Sequence, residues 1–159
     1  MAVQPASTEI AARTASIIQE FKALEGPLLP ILHGVQGEFG YVPQEALRVI
    51  ADELNLSRAE VHGVASFYHD YRKEPGGRHV LKVCQAEACQ SMGSDTTTAR
   101  IKQLLGIDFH ETAKDGSVTL EPVYCLGLCA CSPSAMLDGE VIGRLDNEKI
   151  DEIVEAVRS

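Results

Sequence analysis

No apolar run in this chain approaches the roughly 18–20 residues that a bilayer-crossing helix requires, so no membrane span is expected. The opening segment "MAVQPASTEIAARTAS" lacks the basic-then-apolar layout of a signal peptide, and a cytoplasmic location is the expectation. Positive charge is scarce. Fourteen Lys and Arg face 23 Asp and Glu, a net charge of -9, which argues against nucleic acid or an anionic membrane as the main partner. Internal repeats and low-complexity segments are missing, and no glycine-rich nucleotide fingerprint is present. No C-x-x-C dithiol motif occurs, which counts against a thiol–disulfide enzyme. Cysteine itself is sparse and odd in number, five in all, so a scheme built only of disulfides would leave one over.

What remains is an ordinary globular composition. Hydrophobic residues make 45% and charged residues 23% of 159 positions, enough for one domain or two small ones. The first half reads as helices. Ser7 is placed to cap a segment whose Ile10, Ile17, Ile18 and Phe21 share a face, with Thr14 between them. Gly26-Pro27 ends it. Pro27 suits the first turn of a second helix with Leu28, Leu32, Val35 and Phe39 as its stripe and Gly40 as its stop. Pro43 opens a third, with Leu47, Ile50, Ala51 and Leu54 at helical spacing. Ser57-Arg58-Ala59-Glu60 is a capping-box pattern leading a fourth, with Val61, Val64, Ala65 and Tyr68 on one side. Phe67, Tyr68 and Tyr71 are expected to pack the bundle or its seam with the second half of the chain. His62 and His69 lack the closer spacing of a paired metal site and are expected at the surface.

Pro75-Gly76-Gly77 is the best linker candidate, and the basic residues around it (Arg72, Lys73, Arg78, Lys82) read as a solvated stretch. The domains expected are therefore 1–75 and 76–159. In the second, 79–83 reads as a strand, 95–105 as a helix with Ile101, Leu104 and Leu105 inward, and "SVTLEPVY" as a second strand. "SAMLDGEVIGRL" is a hairpin whose Asp138-Gly139 fits a type I′ turn. Asn147 is placed to cap a last helix carrying Ile150, Ile153, Val154 and Val157.

The cysteines form two groups, "HVLKVCQAEACQSMGS" with Cys84 and Cys89, and "YCLGLCACSP" with Cys125, Cys129 and Cys131. Each group begins where a strand is expected to end. Side by side in one sheet, those strands would bring a C-x4-C and a C-x3-C pair into one pocket. Four thiolates there suit a structural zinc or an iron–sulfur cluster. The spacing favours the cluster, leaving zinc and inert buried thiols as alternatives. No histidine adjoins either pair, so a Rieske-type centre is not expected. Gly93 and Gly127 would let backbone N–H groups approach the sulfurs, and a helix after Cys89 would direct its positive end toward them.

At these residues the chain resembles a known family. "VCQAEACQSMG" and "YCLGLCACSP", with "LLPILHGVQGEFGYVPQEAL" and "LSRAEVHGVASFYHDY" earlier, are similar to the thioredoxin-like [2Fe–2S] subunit of NADH dehydrogenases, the complex I iron–sulfur subunit and its relatives. The resemblance implies an α+β fold, an N-terminal helical bundle followed by a thioredoxin-like α/β [2Fe–2S] ferredoxin domain. It implies that Cys84, Cys89, Cys125 and Cys129 hold one [2Fe–2S] cluster; Cys131 lies outside that four-ligand pattern and is expected to be a packed or weakly exposed free thiol, with an alternative ligand as the other reading. The implied partner is an FMN- and NADH-binding flavoprotein subunit, so that FMN and NAD are expected on that subunit and not on this chain. The chain would be a non-catalytic electron-transfer subunit, with no turnover alone. Within the family, "CQAEACQSMG" and "CLGLCACSPSAM" look most like the gamma subunit of the soluble, molybdenum- or tungsten-dependent, NAD-linked formate dehydrogenases. The equivalent subunits of complex I and of NAD-reducing hydrogenases are the alternatives, and a zinc-stabilised interaction module is a remoter one.

Overall fold

The structure, a computed structural model, describes residues 6–158. Residues 1–5, which begin the segment read above for a leader, and Ser159 lie outside them. The chain divides into two compact units, Met1–Pro75 and Gly76–Ser159.

The first unit is built of α1 (Ser7–Phe21), α2 (Leu28–Phe39), α3 (Gln44–Leu54) and α4 (Arg58–Phe67). Helix α1 packs on α2 and α3, and α3 on α4. Their apolar stripes meet in a core where Ile18, Ile31, Leu32, Val35, Ile50 and Val61 are fully enclosed. Helix ends follow from local chemistry. Gly40 stops α2 in the left-handed region at φ +77°, and Asn55 does the same for α3 at φ +53°. The Ser57 hydroxyl accepts the Glu60 amide at 3.2 Å while the Ser57 amide donates to the Glu60 carboxylate at 2.8 Å, a complete capping box.

Three expectations for this unit need correction. Ser7 is the first helical residue rather than the cap; Ala6 holds the cap position and no side chain satisfies it. The aromatic group splits. Tyr71 is buried and donates its hydroxyl to the Leu29 carbonyl at 3.2 Å, whereas Phe67 is 74% exposed and packs no core. The chain turns after α4 because Gln36 holds it, donating to the Asp70 carbonyl and accepting the Arg72 amide at 2.8 and 2.7 Å. Tyr68 therefore lies beyond the helix and stays half exposed.

The second unit runs β1 (His79–Cys84), α5 (Glu87–Ser91), α6 (Ser94–Leu105), β2 (Glu111–Thr112), β3 (Val118–Val123), a 3₁₀ turn (Cys129–Cys131), β4 (Ser134–Leu137), β5 (Glu140–Gly143) and α7 (Asn147–Arg158). The sheet order is β2-β3-β1-β4-β5. Strands β1 and β3 are parallel, from His79 opposite Val118 to Cys84 opposite Val123, and the other pairings are antiparallel. Parallel neighbours need a crossover connection, which α5 and α6 supply. Leu81, Val83, Val118, Leu120 and Ala135 form one core with Ile101 of α6 and Ile150, Ile153, Val154 and Val157 of α7. The hairpin turn is as expected, with Asp138 and Gly139 both at positive φ.

Here too the structure differs from expectation. Gly77 is no free linker: its amide donates to Thr119 Oγ1 at 2.7 Å, and a Cβ there would meet the Val118 backbone at 2.8–2.9 Å. Asp146, not Asn147, caps α7, its carboxylate accepting the Lys149 amide at 3.0 Å. Strand β2 and helix α5 were not anticipated; at two and five residues they are too short to show periodicity.

Candidate iron–sulfur site

The cysteines lie at one end of the sheet. Cys84 is the last residue of β1 and is buried. Cys89 sits on α5 and is again buried. The segment around them is fixed by polar side chains. Ser94 Oγ donates to the Cys84 carbonyl at 2.7 Å, Gln85 donates to Thr98 Oγ1 at 2.9 Å, and Gln90 donates to the Gln85 carbonyl at 2.9 Å.

The parallel register sets Val123 beside Cys84, so Cys125 emerges two residues past that level. Cys125 is held at φ +103°, a region costly for any residue with a Cβ, on the order of 1–3 kcal/mol. Strain of that kind persists only where the surrounding structure over-determines it. Gly127, at φ +76°, lets the loop double back, and its amide donates to Cys125 Sγ at 3.4 Å. Cys129 begins the 3₁₀ turn; both Cys125 and Cys129 are exposed.

Cys89 is influenced by Cys84, and Cys129 by both Cys125 and Cys89. Burial pushes the Cys89 thiol up, but hydrogen bonds with Ser132, Ser134 and Cys84 outweigh it and leave the group below its ordinary value. The Cys129 thiol is raised, by its hydrogen bond with Cys125, by that neighbour's charge, and by burial and the charge of Cys89. Among the described residues, no three His, Cys, Asp or Glu side chains converge on a single-ion site.

Cys131 stands apart. A Cβ on Gly143 would lie 2.8 Å from Cys131 Cβ, and the Cys131 carbonyl accepts the Arg144 amide at 2.6 Å. It is packed against β5 through its backbone and Cβ. The Gly93 amide donates to the Gln90 carbonyl. Sequence reasoning also missed Ser132 and Ser134, whose hydroxyls lie 3.5 Å from Cys89 Sγ. The Ser-Pro-Ser run directly after Cys131 was the available signal.

The thioredoxin-like [2Fe–2S] ferredoxin family model matches residues 14–158, and the chain belongs to that family. A [2Fe–2S] cluster is the family's cofactor. The chain is 40% identical over 143 residues to an NADH-quinone oxidoreductase subunit of Mycobacterium tuberculosis, covering 90% of this chain but 57% of that protein. It therefore spans little more than half the length of that relative. An NADH-quinone oxidoreductase subunit of Escherichia coli K12 is 35% identical over 148 residues, with 91% and 89% covered. The NADP-reducing hydrogenase subunit HndA of Solidesulfovibrio fructosivorans is 32% identical over 137 residues, with 86% and 80% covered. Among solved structures, an NAD+-reducing [NiFe]-hydrogenase in the H2-reduced state matches 82% of this chain and 22% of that one, with TM-score 0.73 and 23% identity. At that identity the likeness establishes the fold. The α+β fold with N-terminal helices and a thioredoxin-like domain is as expected. No described helix is long and apolar enough to cross a membrane.

Proposed function

We propose that this chain is an electron-transfer subunit in which Cys84, Cys89, Cys125 and Cys129 hold one [2Fe–2S] cluster, with 76–159 as the cluster domain and 1–75 as a helical domain. The observation that carries the reading is the parallel register of β1 and β3, which sets Cys84 and the Cys125 loop at neighbouring strand ends. The cluster supplies one-electron chemistry. The protein's part is to grip it with four thiolates, to bury two of them, and to hold the exposed pair in a loop fixed by the Gly127 amide. The electron partner is an FMN- and NADH-binding flavoprotein subunit, and the setting a cytoplasmic heteromeric complex.

The finer assignment is a soluble NAD-dependent formate dehydrogenase with a molybdenum- or tungsten-bearing subunit. It rests on the wording of the two cysteine segments. Relatives among NADH-quinone oxidoreductase and hydrogenase subunits favour the second reading, the equivalent subunit of complex I or of an NAD-reducing hydrogenase.

Iron and acid-labile sulfide analysis with EPR tests the site. The reconstituted chain is expected to be red-brown, to hold two irons per chain, and to give an EPR signal on reduction. Cys84→Ser and Cys125→Ser should abolish iron retention, and Cys131→Ser should preserve it. A colourless protein that holds one zinc and no sulfide supports the interaction-module reading instead. Co-purification identifies the complex: a molybdopterin protein for formate, a nickel–iron subunit for hydrogen, membrane subunits for complex I.

A further inference from the structure

We propose that Ser134 tunes the reduction potential of the cluster by donating a hydroxyl hydrogen bond to the sulfur of Cys89. The inference rests on Cys89 being a cluster ligand. Ser134 is the first residue of β4, is 1% exposed, and stands next out from the Val83–Ala135 pair on the ladder that ends at Cys84. Its hydroxyl lies 3.5 Å from Cys89 Sγ and can act as donor.

Ser132 is at the same distance yet cannot play this part. Its hydroxyl proton goes to the Cys129 carbonyl at 2.8 Å, so toward Cys89 it only accepts. An acceptor matches a protonated thiol. A metal-bound sulfur has no proton to offer, and then Ser134 alone of the two has an O–H to give.

Reduction adds one electron to the centre and moves no proton from Ser134. A donor dipole aimed at a ligand sulfur favours the more negatively charged form, so it raises the potential. Cys89 and Ser134 are both buried, and in that low-dielectric setting the bond counts for more than in water.

An EPR-monitored redox titration of the full-length reconstituted chain tests this. Ser134→Ala should keep its iron and sulfide but shift the oxidised-to-reduced ratio about tenfold toward oxidised, a fall of about 59 mV for one electron. Ser134→Thr, which restores a hydroxyl, should recover most of the shift, and Ser132→Ala should move the ratio less than twofold. After exchange into deuterated water, an exchangeable deuteron coupled to the reduced centre should be seen in the wild type and weakened in Ser134→Ala. A wild-type chain without iron and sulfide overturns the ligand assignment beneath the inference. Full iron with an unshifted potential in Ser134→Ala overturns the inference itself. If Ser134→Ala cannot hold iron, the wild-type spectrum decides, and absence of the coupled deuteron overturns the proposal.

Discussion

The two units treat buried hydroxyl groups in opposite ways. In the helical unit Thr14 is enclosed in the core, and its Oγ1 has no hydrogen-bond partner. It fills volume between Ile10 and Ile18 and little else. In the α/β unit Ser94, Thr98, Thr119, Ser132 and Ser134 are buried as well, and each is hydrogen-bonded. Ser94, Thr98, Ser132 and Ser134 bond to the segments that carry the cysteines, and Thr119 to Gly77 and Thr112. A helix satisfies its own backbone, so its core needs only apolar volume. Loops that must hold thiols at fixed positions have unpaired backbone groups, and buried hydroxyls secure them. Among the described non-glycine residues at positive φ, the helical unit has Asn55, a helix stop, whereas the α/β unit has His110, Cys125, Asp138 and Arg144.

Valine substitutions sharpen this contrast because they keep shape and remove the hydroxyl. Thr119→Val is expected to have the largest effect, a loss of about 2 kcal/mol in denaturant unfolding. It leaves the Gly77 amide without its acceptor at 2.7 Å and removes the contact with Thr112 Oγ1 at 2.8 Å. An unchanged midpoint for this variant would remove the distinction between the units.

Next in size is the capping box of the helical unit. Ser57→Ala should cost about 1 kcal/mol, read as a lower thermal midpoint. The Glu60 carboxyl is held below its ordinary 4.5, first by the Ser57 amide and then by its hydroxyl. A depressed folded value stabilises fully above the unfolded pKa, and the contribution disappears as pH falls through the folded one. Glu60→Gln should therefore differ from the wild type at neutral pH, and the two stability curves should converge in acid. A difference that persists below the folded pKa would show that charge at Glu60 is not what matters.

The smallest effect has the opposite sign. Thr14→Val should gain about 0.5–1 kcal/mol, since it replaces an orphaned buried hydroxyl with a methyl group. A loss instead would mean that Thr14 does what Thr119 does, and the comparison between the units would collapse.

Much of this was legible in the residues. The four helices showed in apolar spacing, because a helix buries a stripe that its own sequence must carry. The Asp138-Gly139 hairpin showed because few residues tolerate positive φ at two adjacent positions. Other features depended on distant partners. Phe67 and Tyr71 look alike in sequence, yet Gln36 turns the chain between them so that one is exposed and the other buried. Gly76-Gly77 reads as slack, but Gly77 lies against β3, about forty residues further on.

The four N-terminal helices, the two cysteine groups and the excess of acidic charge were determined by the chain alone, since each rests on composition or on contacts within a few turns of backbone. Which strand runs beside β1, and therefore which thiols share one end of the sheet, was decided only by the tertiary structure. So was the difference between Ser132 and Ser134, which flank Pro133 on either side. A hydroxyl's role depends on where its single proton goes, and that is fixed by groups the chain brings close only when it folds.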